Sequence, residues 1–153
     1  MSLDPGSPPA PSSSQPRLAP HLLVVEDEPV IASLLADVLT RHGYRVTIGH
    51  TVADGLALAE KHADVALCIS DFLLPDRTGL DLVLALRERL PRLRIVLISA
   101  YLEPELIARI EAVGTIVLIV RKPLDIFELR RCVDDLVHGT VTGGDGCEAL
   151  ALC

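Results

Sequence analysis

The chain has no tryptophan, two tyrosines, two phenylalanines and one methionine among its 153 residues. A core with so few rings has to be filled by leucine, valine, isoleucine and alanine, and half of the residues are hydrophobic. Basic residues are also scarce: 14 lysines and arginines face 21 aspartates and glutamates, for a formal net charge of -7. That balance argues against a sequence-independent nucleic-acid binder, which needs a basic face; it suits solubility. No apolar run approaches the roughly 18 residues of a membrane span. The N-terminus lacks the basic start and apolar segment of a secretory signal. Four cysteines, Cys68, Cys132, Cys147 and Cys153, show no CxxC spacing. Neither a zinc site nor a disulfide framework is predicted, and the chain reads as soluble, reduced and cytoplasmic. His21, His42, His50, His62 and His138 are scattered, with no pair at metal-ligand spacing, and are assigned no chemistry.

What is present divides the chain into three. Residues 1–20 hold Pro5, Pro8, Pro9, Pro11, Pro16 and Pro20 with serines between them, too little apolar surface to offset ordering entropy. Residues 139–153 open on Gly-Thr-Val-Thr-Gly-Gly-Asp-Gly and read as a flexible tail, although Ala149 to Leu152 could dock on the domain. Residues 21–138 form the domain. Apolar strands alternate there with helical periods. Strands are predicted at His21–Val25, Tyr44–Ile48, Val65–Ser70, Arg94–Ile98 and Thr115–Val120. Between them, Val30, Ile31, Leu34, Leu35, Val38 and Leu39 recur at helical spacing behind Pro29. Thr51 with Asp54 resembles a capping box, Gly79–Leu90 is stopped by Pro91, Glu103–Val113 is helical, and Asp125 with Glu128 opens the last helix. Strands such as Ile95-Val96-Leu97-Ile98 lack a polar face, the mark of a parallel sheet covered on both sides. The predicted fold is α/β, a doubly wound (βα)5 domain. In such sheets ligands bind beyond the carboxyl ends of the strands.

Those ends carry the chemistry. The first strand presents Glu26 and Asp27, the third Asp71, the fourth Ser99 and the small Ala100, the fifth Lys122 and Pro123. Clustered carboxylates raise one another's pKa unless a cation sits among them. A hard divalent ion with oxygen ligands, Mg²⁺, fits: it takes one or two carboxylates and leaves positions for a phosphoryl oxygen. A carboxylate beside such an ion can act as nucleophile towards phosphorus. Lys122 and Ser99 would share the charge of the transferring group with the ion, and Ala100 would leave room for the donor. Asp71 is the predicted nucleophile, because it stands alone at the end of a central strand. Taken singly, each residue has an ordinary reading. Asp71 could cap a loop, Ser99 could bond the backbone, Lys122 could be solvated, and Glu28 is best read as charge favourable to a helix N-terminus.

Together, LLVVEDEP, SDFLLPDRTGLDL, VLISA and VRKPL, in that order and with Asp71 four residues before Pro75 and eight before Gly79, resemble the receiver domains of two-component response regulators. The resemblance covers residues 21–138. It implies the chemotaxis-type, flavodoxin-like fold, with strand order 2-1-3-4-5. Asp71 would be the phosphoacceptor, Glu26 and Asp27 would bind Mg²⁺ with the backbone carbonyl of Leu73, and Ser99 would be the switch hydroxyl. Lys122 would bind the phosphoryl group before a cis Pro123 bond. Family members accept a phosphoryl group from a sensor histidine kinase or phosphotransfer protein, then signal through the surface of the fourth helix, fifth strand and fifth helix. The implied protein is a bacterial, cytoplasmic phosphoacceptor rather than an enzyme. It has no nucleic-acid or membrane partner of its own, and a homodimer through the last helix is possible for such domains. Two departures stand out: Ile119 occupies a position usually aromatic, and the fifth strand is one residue longer than usual. Alternatives are a receiver excised from a hybrid kinase or transcription regulator, a phosphorylation-independent pseudo-receiver, and a phosphatase or nucleotide-binding domain. The last is disfavoured, because no glycine-rich loop follows the first strand and Leu73, not an acid, stands two residues after Asp71.

Overall fold

Continuous apolar runs become the interior strands of one sheet. The structure, a computed structural model, describes residues 19–100, 103–113, 116–138 and 149–151. Its elements run β1 (His21–Val25), α1 (Pro29–Arg41), β2 (Arg45–Gly49), α2 (Val52–Lys61), β3 (Val65–Asp71), α3 (Gly79–Arg89), β4 (Arg94–Ser99), α4 (Pro104–Val113), β5 (Ile116–Arg121), α5 (Ile126–His138) and β6 (Ala149–Ala151). β2, β1, β3, β4 and β5 are parallel in that order. The five-stranded (βα)5 sheet is as predicted. A sixth strand was not: β6 pairs antiparallel with β5, Ala151 opposite Leu118 and Ala149 opposite Val120. Most of the segments 1–20 and 139–153 lies outside the described residues.

Two apolar layers sandwich the sheet. On one side Leu35 and Leu39 of α1 and Leu129, Cys132, Val133 and Leu136 of α5 pack on Leu22, Val24, Leu67, Ile69, Val96 and Ile98. On the other, α2, α3 and α4 bring Val52, Leu56, Leu82, Leu86 and Ile110 onto Leu23, Val25, Cys68, Ile95, Leu97 and Ile119. Successive strand residues thus serve opposite layers, as the pleat requires. The α1 stripe is narrower than its periodicity suggests, since Val30 and Leu34 are exposed and only Ala32, Leu35 and Leu39 are buried.

The pairing of β5 with β4 carries a bulge near its start. Ile95 pairs with Ile116 but Val96 pairs with Leu118, which leaves Val117 unmatched. Beyond it the register is regular, so Ser99 lies opposite Arg121 and the Lys122 amide donates to the Ser99 carbonyl at 3.0 Å. The irregularity lies at the amino end of β5, away from the carboxyl ends where the candidate residues gather.

Cys132 is disulfide-bonded, and its partner lies outside the described residues. This corrects the expectation of unpaired cysteines; pairing depends on separation in the fold, which spacing along the chain does not reveal. Cys68 is buried as a free thiol, its pKa pushed up to about 12 by burial. Among the described residues, no helix is long and apolar enough to cross a membrane.

Helix α3 starts hard against β3. Thr78 and Asp81 form a reciprocal capping box, and the Gly79 amide donates to the Phe72 carbonyl at 2.6 Å. A Cβ on Gly79 would lie 2.4 Å from the Asp71 carbonyl oxygen and 3.0 Å from the Phe72 Cα. Helix propensity alone favours alanine there by roughly 0.5–1 kcal/mol, whereas overpacking against backbone costs about 1–3 kcal/mol. Overpacking should win. Gly79→Ala is expected to lower stability by about 1–2 kcal/mol in urea denaturation; an unchanged or raised midpoint would show that the β3–α3 junction is loose.

Candidate functional site

The carboxyl ends of β1, β3, β4 and β5 meet at one edge of the sheet. Glu26 follows β1 and is buried; its amide donates to the Gly49 carbonyl at 2.9 Å, which holds the turn against β2. Asp71 is the last residue of β3, inside the strand rather than after it, and is also buried. Asp27 is exposed. One carboxylate oxygen from each of Glu26, Asp27 and Asp71 lies within 4.8 Å of the other two. Two such charges at that separation repel by about 3 kcal/mol at an effective dielectric constant near 20.

The compensating cation comes from β5. The Lys122 ammonium donates to Asp71 Oδ2 at 2.8 Å. The second oxygen, Oδ1, accepts from the Leu73 amide at 3.3 Å. The Lys122–Pro123 peptide bond is cis. Ser99, at the end of β4, is buried, and Ala100 beside it is exposed. The structure therefore brings Glu26, Asp27, Asp71, Ser99 and Lys122 to one edge. Leu73 sits above them with an exposed side chain, bridged to Thr78 across the turn.

The balance of charge shows in the titration of these groups. Burial, then the Asp71 charge, pushes the Glu26 carboxyl up to about 7. Burial works against the Lys122 ammonium, but the hydrogen bond and charge of Asp71, with Glu26 and Glu28 behind it, outweigh it and hold its pKa above the ordinary value. Of the three clustered acids, Asp71 is the one bonded to the Lys122 ammonium. That excess of oxygen donors and negative charge fits a hard divalent cation such as Mg²⁺.

Several supports of the site carry no local signal in the sequence. His50 Nδ1 donates to the Glu26 carbonyl at 2.9 Å. The Asp76 carboxylate, in the loop after Asp71, accepts from the Val52 and Ala53 amides at 2.9 and 3.1 Å and so ties that loop to the start of α2. Each partner lies more than twenty residues away in the chain. The Thr78–Asp81 box was legible as a spacing but was not singled out.

A family model described as the response regulator receiver domain matches residues 22–134. The chain belongs to that family. Among curated relatives, this receiver domain is 33% identical over 118 residues to the two-component response regulator ORR12 of Oryza sativa subsp. japonica, a match covering 76% of this chain and 97% of that regulator. It is 38% identical over 80 residues to the photosynthetic apparatus regulatory protein RegA of Rhodobacter capsulatus, covering 52% of this chain and 43% of RegA. Among solved structures, the CheY-like receiver domain protein of Methanospirillum hungatei superposes with a TM-score of 0.73 at 23% identity, covering 82% of this chain and 99% of that one, and shares the fold. Response regulator TrrA of Thermotoga maritima, in complex with Mg²⁺ and BeF, superposes with a TM-score of 0.66 at 25% identity, covering 76% and 98%. The relatives span a plant and bacteria, so the expectation of a bacterial protein is not supported by them alone.

Glu26 reports on the pocket's charge. Its folded pKa of about 7 lies above the ordinary 4.5, so the stability it lends by being protonated is fully present below pH 4.5 and lost as pH rises through about 7. Without divalent cations, Glu26→Gln should be more stable than wild type at pH 8, by at least about 1 kcal/mol, the worth of roughly one pKa unit. The gain should shrink towards pH 4.5. Chemical denaturation in EDTA at both pH values checks this, and a Glu26→Gln variant less stable at pH 8 would contradict it.

Proposed function

We propose that this receiver domain accepts a phosphoryl group on Asp71 from a phosphohistidine of a sensor kinase or phosphotransfer protein, and signals by protein contact. The observation that carries the reading is the pairing of a buried strand-end carboxylate with Lys122 at 2.8 Å, beside two further acids within 4.8 Å. Glu26, Asp27 and Asp71, with the Leu73 carbonyl, are the groups that would hold Mg²⁺. When bound, that ion supplies positive charge to the phosphoryl oxygens.

The chain's own residues do the rest. An Asp71 oxygen attacks phosphorus, the new P–O bond forms as the P–N bond to the donor imidazole breaks, and the electron pair returns to that nitrogen. The Leu73 amide and Lys122 hold the carboxylate in place before transfer. Lys122 then turns from the consumed negative charge of Asp71 to the phosphoryl oxygens, and the Ser99 hydroxyl donates to one of them. Exposed Ala100 leaves the approach to Asp71 open. Leu73 offers no polar group to orient water, and the phosphorylated state is predicted to decay over minutes or longer.

Output has to proceed without the usual ring. Ile119 is fully buried among Leu97 and Ile110, so movement of Ser99 cannot draw an aromatic side chain inward. The surface of α4, β5 and α5 remains the output face in this reading, with β6 laid along the free edge of β5.

Incubation with acetyl phosphate and Mg²⁺, followed by intact-mass measurement, is expected to show one phosphoryl adduct in wild type and none in Asp71→Asn. Lys122→Ala should slow adduct formation by about 10²-fold, the scale for losing one charge-stabilising donor. An Asp71→Asn protein that labels like wild type would refute the reading. Decay of the adduct within seconds would refute the lifetime.

A further inference from the structure

The opposite edge of the sheet, at the amino ends of the strands, gathers a second set of metal-binding side chains. His21 opens β1 and is buried; His62 follows the end of α2; Asp64 precedes β3. One ligand atom from each lies within 4.8 Å of the other two. His21 Nδ1 is 3.0 Å from Asp64 Oδ1. The His21 and His62 rings meet edge to face, centroids 5.0 Å apart and planes at 76°.

We propose that His21, His62 and Asp64 form a binding site for a divalent transition ion, Zn²⁺ by preference, with water as the fourth ligand. Two imidazoles and a carboxylate are a common zinc set, with Zn–N and Zn–O distances of about 2.0–2.2 Å. A tetrahedral ion at those distances holds its ligand atoms roughly 3.3 Å apart and two ring centres roughly 5 Å apart. The His21–Asp64 and His21–His62 spacings stand close to both values, and the half-buried His62 side chain supplies the remaining adjustment.

The surrounding bonds are those that metal ligands need. The other ring nitrogen of His21, Nε2, is 2.6 Å from the Thr47 hydroxyl, which fixes the ring plane. With Nδ1 on the ion, Nε2–H donates to Thr47 Oγ1, the usual support of a metal-bound imidazole. The other oxygen of Asp64, Oδ2, is held by Arg45 Nη2 at 2.7 Å, which leaves Oδ1 to ligate. Without an ion, His21, Asp64 and Arg45 form only a hydrogen-bonded bridge between the starts of β1, β2 and β3. His62 takes no part in those bonds, so it separates the two roles. A soft or borderline ion prefers this imidazole set, whereas the all-oxygen cluster at the other edge prefers Mg²⁺.

Calorimetric titration of the full chain with Zn²⁺, in saturating Mg²⁺, tests the proposal. One Zn²⁺ per chain is expected, with affinity at least tenfold weaker in His62→Gln and in Asp64→Asn, and unchanged in Asp27→Asn. Thr47→Val should weaken it by about 10–100-fold, as loss of a supporting bond does. Zn²⁺ should also raise the melting temperature of wild type but not of His62→Gln. No binding, binding that survives His62→Gln, or binding lost in Asp27→Asn would each overturn the proposal.

Discussion

Three carboxylates converge on one edge of an apolar sheet, and the Lys122 ammonium pairs with one of them, Asp71. Glu26 and Asp71 are both buried, and neither could remain so as a pair of bare anions. Lys122 answers Asp71 directly, while Glu26 answers by rising to a pKa of about 7. The site is thus folded with its charge incompletely neutralised. A divalent cation would complete that balance, and in the proposed function a phosphoryl group on Asp71 would alter it.

The rest of the fold exists to keep that edge in register. Parallel strands put every carboxyl end on one side, and the helices between them cover both faces with leucine, valine and isoleucine. Gly79 lets α3 begin within contact of the Asp71 backbone, and Asp76 ties the intervening loop to α2. The bulge at Val117 is the clearest case. The register of β5 shifts by one residue, yet Lys122 still reaches Asp71, because the irregularity lies at the opposite end of the strand.

Much of this was readable from residue order. Unbroken apolar runs such as Ile95–Ile98 announce a covered parallel sheet, and in such a sheet the residue after each run must lie at the ligand edge. Hence Glu26, Asp27, Asp71, Ser99 and Lys122 could be gathered from residue order alone. The last helix was equally plain: Leu129, Cys132, Val133 and Leu136 recur at helical spacing and are the four residues it buries. What was hidden depends on contacts between distant segments: the His50 and Asp76 supports, the pairing of β6 with β5, and the disulfide at Cys132. The meeting of His21 with His62 and Asp64 belongs to the same class, since the strand order, not the spacing, brings them together. On α1 the period was right but too generous, because Val30 and Leu34 continue the stripe beyond the width that the sheet covers.

In the proposed function the phosphoryl group goes to the carboxylate of Asp71 and not to one of its acidic neighbours. Borohydride reduces an acyl phosphate to an alcohol, so reduction of the phosphorylated protein with labelled borohydride, followed by peptide mapping, locates the group that carried phosphorus. Label is expected at position 71 alone, dependent on prior phosphorylation. Label at Glu26 or Asp27, or a phosphorylated protein that borohydride leaves unlabelled, would contradict it.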